Sequence, residues 1–154
     1  MERSYVSDLK PGQDVLLKGW VYEIRNLSNM AFLLLRDFSG IVQCVVKDKS
    51  LLGNLSLESV VEIQGKVKKS NVRAELARND IEVEVSALKI LNPAEELPMQ
   101  VNEKAVKAEL PTRLDWRSLS LRTPKSQAIF KIQAKLVEGM QEYLNENGFL
   151  QVFT

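Results

Sequence analysis

The segment MAFLLLRDFSGIVQ, residues 30–43, carries side chains whose types and spacing could bind a ligand. Arg36 and Gln43 indicate the wetter faces of two neighbouring predicted strands, because burying an unpaired polar group is costly. Phe32 has the same parity as Arg36 and so shares its face. An outward aromatic ring beside polar groups is typical of surfaces that hold single-stranded nucleic acid, where the ring stacks on a base.

The same pattern also fits a buried Phe32, because phenylalanines on strands usually lie in the core. From the pattern alone, burial is favoured over stacking. Cys44, the single cysteine, fits a small core residue and not a nucleophile. Trp20 and Tyr22 fit side chains that pack against the rest of the fold better than side chains that bind a ligand. Arg25 and Glu82, taken alone, fit solvated charges on strands.

Composition excludes several classes of function. The 154 residues have a net charge of +1, so no overall positive field marks a nucleic-acid binder, although a local patch is compatible. The absence of histidine removes the usual general base and metal ligand, and we expect no metal or cofactor site. One cysteine, no long apolar run and no signal-peptide pattern predict a cytoplasmic protein without a membrane contact.

Five short β-rich runs must position these side chains. The patterning predicts strands over 15–25, 31–36, 41–46, 60–69 and 81–90. Gly19 is expected at a bend or bulge, and Asp37-Phe38-Ser39-Gly40 at a hairpin. Five strands with a lengthened third connection predict a mainly β fold, a Greek-key barrel of the OB type. A sandwich usually needs about seven strands and fits less well.

The chain changes character near residue 92. We predict a barrel domain over 1–92, an extended linker or hinge over 93–122, and the beginning of a second domain over 123–154. Thr123 and Pro124 predict the start of one long α-helix, Gly148 its end, and 149–154 a strand. A helix with one apolar face and a strand cannot form a core alone.

The segment GWVYEIRNLSNMAFLLLRDFSGIVQCVV and the strand ESVVEIQG resemble the anticodon-binding domain of aspartyl-tRNA synthetases of the archaeal and eukaryotic type. The resemblance continues through the linker run TRLDWRSLSLR and ends at ENGFLQVFT, which resembles the start of class II motif 1. Lysyl-tRNA synthetases share the barrel but have a different linker. Asparaginyl-tRNA synthetases are closer, and the barrel alone separates them poorly.

The resemblance implies a role for each matching position. Phe32 stacks on the middle anticodon base, and Gln43 reads the same uridine. Arg25 contacts the anticodon stem-loop, and Glu82 faces the anticodon. Tyr22 occupies the position that helps to decide tolerance at the third base, where the family has Trp or His, so acceptance of the asparagine anticodon stays open. Arg36 is given no base contact and is expected, with Asp37, to tie the hairpin together.

The resemblance also implies partners. A basic loop supplies candidate phosphate contacts, which are Lys66, Lys68, Lys69 and Arg73. The helix and strand after it would form a homodimer interface through Ile129, Ile132, Leu136 and Met140. The family places ATP and amino-acid binding beyond Thr154, so we expect tRNA binding but no catalysis from these residues, with ATP and Mg²⁺ used by the full-length enzyme. Two other classes stay open: a general single-strand-binding module, and a module that only dimerises.

Overall fold

Five strands form a closed barrel in the computed structural model, which describes residues 2–103 and 106–153. The strands are β1 (Asp14–Asn26), β2 (Ala31–Arg36), β3 (Ile41–Val46), β4 (Val60–Lys69) and β5 (Ile81–Asn92). They are hydrogen-bonded in the order β1-β2-β3-β5-β4, and the pairing of β3 with β5 is parallel. This topology confirms the mainly β prediction of a five-stranded OB-type barrel.

Alternation along the strands fills the barrel interior. Leu33 on β2 is fully buried, as are Cys44 on β3 and Val83 on β5. Burial raises the pKa of the Cys44 thiol to about 12, so the group stays protonated and unreactive at physiological pH. The residues of opposite parity point away from this core and form the outer face of the barrel.

The predicted hairpin between β2 and β3 is held by one carboxylate. Asp37 Oδ1 accepts hydrogen bonds from the backbone N–H groups of Ser39 and Gly40, at 2.7 and 3.0 Å. Its second oxygen, Oδ2, accepts the backbone N–H of Val6 at 2.9 Å. Val6 begins a single 3₁₀ turn, Val6–Asp8, which sequence patterning did not predict. The same side chain therefore shapes the hairpin and fixes the N-terminal segment.

Gly19 does not lie at the bulge of β1. The register between β1 and β2 shifts between Val21 and Glu23, three residues further along the chain. A Cβ on Gly19 would lie 2.4 Å from the carbonyl oxygen of Arg36, so close approach of β2 is what requires glycine here. The sequence shows that a glycine interrupts the strand, but it does not distinguish a bulge from the close approach of a neighbouring strand.

A second unit, Leu97–Thr154, follows the first, Met1–Glu96. It contains α1 (Leu110–Asp115), α2 (Arg117–Ser120) and α3 (Pro124–Glu146). The segment predicted as a linker or hinge, 93–122, therefore contains two short helices. Pro111 lies in the first turn of α1, where its missing N–H costs nothing.

Helix α3 begins and ends where the sequence predicts. Thr123 is its N-cap, in extended conformation, and Pro124 follows at the first helical position. At the other end Gly148 has a φ of 80°, and Phe149 N–H donates to the Leu144 carbonyl at 3.0 Å, which is the Schellman arrangement.

The strand predicted over 149–154 is not formed over 149–153, and Thr154 lies outside the described residues. A strand needs a partner for its backbone hydrogen bonds, and these residues pair with none of the five barrel strands. Among the described residues, none of the helices combines the length and apolarity that crossing a membrane would need.

Candidate nucleic-acid interface

Two rows of side chains cross the outer face of the barrel, because paired positions on neighbouring strands point to the same side. The first, here called the Phe32 row, consists of Arg25, Phe32, Val45, Glu84 and Lys66. The second, the Gln43 row, consists of Glu23, Leu34, Gln43, Glu82 and Lys68. Register alone thus places outward side chains of adjacent strands side by side, in rows that run around the barrel.

Phe32 lies on this outer face and not in the barrel interior. Its ring is partly exposed, whereas its chain neighbours Ala31 and Leu33 are fully buried. Arg25 is directly opposite on β1 and Val45 directly opposite on β3. A partly exposed ring with a cation on one side and an apolar floor on the other can accept the face of a base.

Gln43 and Glu82 are joined across the parallel pairing of β3 with β5. Gln43 Nε2 donates a hydrogen bond to Glu82 Oε2 at 3.3 Å, and both side chains are partly buried. The bond fixes the orientation of the Gln43 amide, with its nitrogen turned toward Glu82. Gln43 is a diagonal neighbour of Phe32, at a distance of about 7–8 Å between such positions. A base stacked on the ring would therefore lie beside an oriented amide.

Arg25 is placed beside Phe32 by an ion pair on its own strand. Its Nε and Nη2 donate to the two carboxylate oxygens of Glu23, at 2.6 and 3.0 Å. These hydrogen bonds raise the pKa of Arg25 above its already high value, so it stays a cation. Its side chain is 54% exposed, which leaves the guanidinium open to a further anion.

A second carboxylate on β5 binds two lysines at once. Glu84 accepts a hydrogen bond from Lys47, just beyond the end of β3, and it forms an ion pair with Lys68 on β4. The two ammonium groups lower the pKa of Glu84 to about 2, Lys47 contributing most. Sequence patterning assigned no role to Lys47 or Glu84. The alternation in Ile81–Val85 does show that Glu84 faces outward, but not that Lys47 and Lys68 both meet it.

Tyr22 lies on the outer side of β1 but is covered. It is 3% exposed and packs with Leu34 and with Val72 and Ala74 of the loop over 70–80. Backbone hydrogen bonds hold this loop in place, including Arg78 N–H to the Ile41 carbonyl at 2.9 Å. The structure therefore places Tyr22 beneath the loop and not at the open surface beside Phe32.

Arg36 has the parity of Phe32 but a different environment. Its Nη2 donates to Glu58 Oε2 at 2.8 Å, and the two side chains are 12% and 3% exposed. Its guanidinium carbon also lies 5.6 Å from the ring centroid of Tyr22. The expectation that Arg36 ties the β2–β3 hairpin was therefore wrong, because its partner Glu58 comes from the segment before β4. Asp37 alone performs that task.

The candidate phosphate contacts do not all share the outer face. Lys66 and Lys68 end the two rows and are exposed. Lys69 pairs with Ile81, whose side chain points into the barrel, so Lys69 has the opposite orientation at the end of β4. Arg73 is exposed on the loop that covers Tyr22. Two of these four cations thus lie in the Phe32 and Gln43 rows, Lys66 in the first and Lys68 in the second.

Two family models match the chain. Residues 15–91 match the OB-fold nucleic acid binding domain model for tRNA anticodon binding. Residues 109–154 match the model of class II tRNA synthetases of the D, K and N group. The first match covers the barrel, and the second covers all three helices.

Curated relatives agree with these matches. The chain is 41% identical to the aspartate–tRNA(Asp/Asn) ligase of Archaeoglobus fulgidus, over 99% of this chain and 37% of that protein. It is 37% identical to the aspartate–tRNA ligase of Lactobacillus johnsonii, over 93% of this chain and 24% of that protein. The chain therefore spans between a quarter and just over a third of the length of these relatives.

Solved structures of both an aspartyl-tRNA synthetase and an asparaginyl-tRNA synthetase are similar to this chain. Asparaginyl-tRNA synthetase from Pyrococcus horikoshii matches with a TM-score of 0.80 and 34% identity, over 99% of this chain and 36% of that one. Aspartyl-tRNA synthetase from Entamoeba histolytica matches with a TM-score of 0.82 and 26% identity, over 99% and 39%. The chain therefore belongs to the OB-fold nucleic acid binding family of the tRNA anticodon type, and its C-terminal part matches the class II tRNA synthetases of the D, K and N group.

Proposed function

We propose that this chain binds the anticodon loop of a tRNA on the outer face of the barrel, with the Phe32 ring stacked on the middle base. The observation that carries the proposal is the outward, partly exposed position of Phe32 between Arg25 and Val45. A buried Phe32 could not stack on a ligand. A phenylalanine on an isolated strand would also lack a neighbour such as Gln43, whose amide is oriented by Glu82 and can make the surface selective.

Gln43 gives this surface its preference for uridine. The Watson–Crick edge of uracil presents an N–H donor beside carbonyl acceptors, whereas cytosine presents an acceptor beside an amino donor. Because the amide nitrogen of Gln43 is held by Glu82, the amide presents its donor and acceptor in one fixed order. Pairing with the reversed order of cytosine would require the amide to turn and break this bond.

Arg25 and the exposed Lys66 and Lys68 supply phosphate contacts at the two ends of the rows, and Lys69 and Arg73 add charge outside them. Tyr22 supports the loop over 70–80 and does not contact the third base, because it is almost fully buried. The aspartate anticodon GUC and the asparagine anticodon GUU should then bind with similar affinity.

Replacing Gln43 by leucine tests the reading of the middle base. Gln43→Leu keeps the size of the side chain but removes both hydrogen-bonding groups, so discrimination between a middle U and a middle C should fall by about 1–3 kcal/mol. Fluorescence anisotropy with labelled anticodon stem-loops measures both affinities. Gln64→Leu, an exposed glutamine on β4 outside the two rows, is the control and should change neither. Unchanged discrimination in Gln43→Leu would remove Gln43 from the reading of the base.

The longer protein to which these residues correspond would be an aspartate–tRNA ligase that works in the cytoplasm. It would activate aspartate with ATP and Mg²⁺ and transfer it to tRNA. No residue of this chain is assigned to that chemistry. The contribution of the barrel is to select the tRNA, so its binding preference limits which tRNA is charged.

Helix α3 supplies a homodimer interface in this proposal. Its apolar stripe is exposed, with Ile132 at 70% and Leu136 at 59%, and Ile129 and Met140 at 56% each. An uncovered stripe of this length favours self-association. Sedimentation velocity should therefore show a dimer whose population rises with concentration. Ile132→Glu should give a monomer, while Lys131→Glu on the opposite side of the helix should not; a monomer at every concentration would contradict the interface.

A further inference from the structure

Lys47, Glu84 and Lys68 form a cluster of charges at the edge of the proposed anticodon surface. Glu84 lies in the Phe32 row, two strands away from Phe32, which is about 10 Å at the usual strand spacing. Lys47 reaches it from beyond the end of β3, and Lys68 reaches it from β4 on the other side. Both lysines are more than half exposed, whereas the side chain of Glu84 is 26% exposed.

The cluster of Lys47, Glu84 and Lys68 has a net positive charge, and the ion pairs with Glu84 hold the two ammonium groups in place. Two ammonium groups and one carboxylate sum to +1, and the carboxylate lies deeper than the lysine ends. Each ammonium group has three donors, so a lysine can bind Glu84 and an external anion together. A free lysine side chain has about 2 kcal/mol of rotamer entropy to lose when it binds. Glu84 restricts both lysines before any ligand arrives.

We propose that Glu84 is a positioning residue that holds Lys47 and Lys68 as a two-lysine site for an RNA backbone phosphate beside Phe32. The inference deepens the proposed function and rests on it only for the identity of the RNA. When a base stacks on Phe32, the position of the RNA backbone is fixed, and one phosphate lies beside the ammonium groups of Lys47 and Lys68. When no base stacks there, the phosphates lie elsewhere, and lysines held by Glu84 cannot move to reach them. Glu84 therefore lowers the affinity for RNA that does not stack a base on Phe32.

Two variants test the two parts of this inference, with stem-loops that carry GUC or an unrelated triplet. Lys47→Ala should weaken binding of both RNAs in similar proportion. It should also make the dependence of log K on log salt shallower by about 0.7–0.9, the value for one phosphate contact. Glu84→Gln frees both lysines, so it should tighten binding of the unrelated stem-loop and reduce the ratio of the two affinities by about threefold or more.

The Lys18–Glu62 ion pair offers matched controls on the same barrel. Lys18 Nζ lies 2.9 Å from Glu62 Oε2, and the pair joins β1 to β4 outside the Phe32 and Gln43 rows. Lys18→Ala and Glu62→Gln make the same charge changes and should leave the salt slope and the affinity ratio unchanged. Thermal melting of each variant shows that the barrel is folded.

The inference is overturned if Lys47→Ala leaves the salt slope unchanged, or if Glu84→Gln alters the ratio no more than Glu62→Gln does. Failure of the proposed function gives a different result, since the wild-type protein would then show no preference for GUC. In that case the salt slope of Lys47→Ala still decides whether the two lysines bind phosphate.

Discussion

Phe32→Ala should weaken binding of a GUC anticodon stem-loop by about 1–3 kcal/mol, which is the usual contribution of one base stacked on an aromatic side chain. The ring lies on the outer face and is partly exposed, so its loss removes a stacking surface and leaves the barrel interior intact. The expected result is therefore a loss of affinity with little change in the melting temperature.

Phe38→Ala is the matched control for this prediction. Phe38 is 80% exposed at the hairpin that follows β2, and its ring contacts Tyr5 and not the Phe32 row. The same substitution there should leave RNA binding unchanged. If Phe32→Ala instead unfolds the protein, the ring supports the core. If both variants weaken binding equally, Phe32 has no special role.

Leu33→Ala should have the opposite effect, a loss of stability without a direct effect on the binding surface. Leu33 is 0% exposed inside the barrel, opposite Ile24 on one side and Cys44 on the other. Truncation of a buried leucine leaves a cavity that the closed barrel cannot fill, at a cost of about 2–5 kcal/mol. Urea unfolding should show a lower midpoint with a similar slope.

Because the chain forms two compact units, this measurement needs a signal from the barrel alone. The protein has two tryptophans, Trp20 in β1 and Trp116 between α1 and α2. In a Trp116→Phe background the fluorescence of Trp20 reports the barrel. A destabilisation below about 1 kcal/mol would contradict the assignment of Leu33 to the core.

Together the two substitutions show why adjacent residues on one strand can have opposite roles. Strand alternation predicts that Phe32 and Leu33 face opposite sides, but both sides of β2 are apolar in sequence, so alternation alone does not say which side is the core. Arg36 and Gln43 suggested the answer, and the structure agrees that Phe32 faces outward. Arg36 was nevertheless a poor guide, because it is largely buried against Glu58.

Local patterning succeeded where short-range physics decides the structure. The bounds of β2, β3 and β4 follow from runs of β-branched and apolar residues ended by polar turns, and Asp37 to Gly40 form the predicted hairpin. Thr123 and Gly148 also bound α3 as predicted, because a cap depends only on the residues around it.

Patterning failed where distant segments meet. The cluster of Lys47, Glu84 and Lys68 depends on the parallel pairing of β3 with β5, which no local signal specifies. Burial of Tyr22 depends on how the loop over 70–80 folds back over β1. The missing strand after Gly148 has the same cause, since its formation depends on a partner segment and not on its own residues.

The selection of an anticodon with a middle uridine by the outer face can be measured in one comparison of binding affinities. Affinities of the wild-type chain should be compared for stem-loops that differ only in the anticodon: GUC, GUU, GCC and an unrelated triplet. GUC and GUU should bind with similar affinity and about tenfold or more tighter than GCC, because only a middle uracil matches the amide orientation fixed by Glu82. Equal affinity for GUC, GCC and the unrelated triplet would show that the outer face has no preference for a middle uridine and would identify the barrel as a general single-strand-binding module.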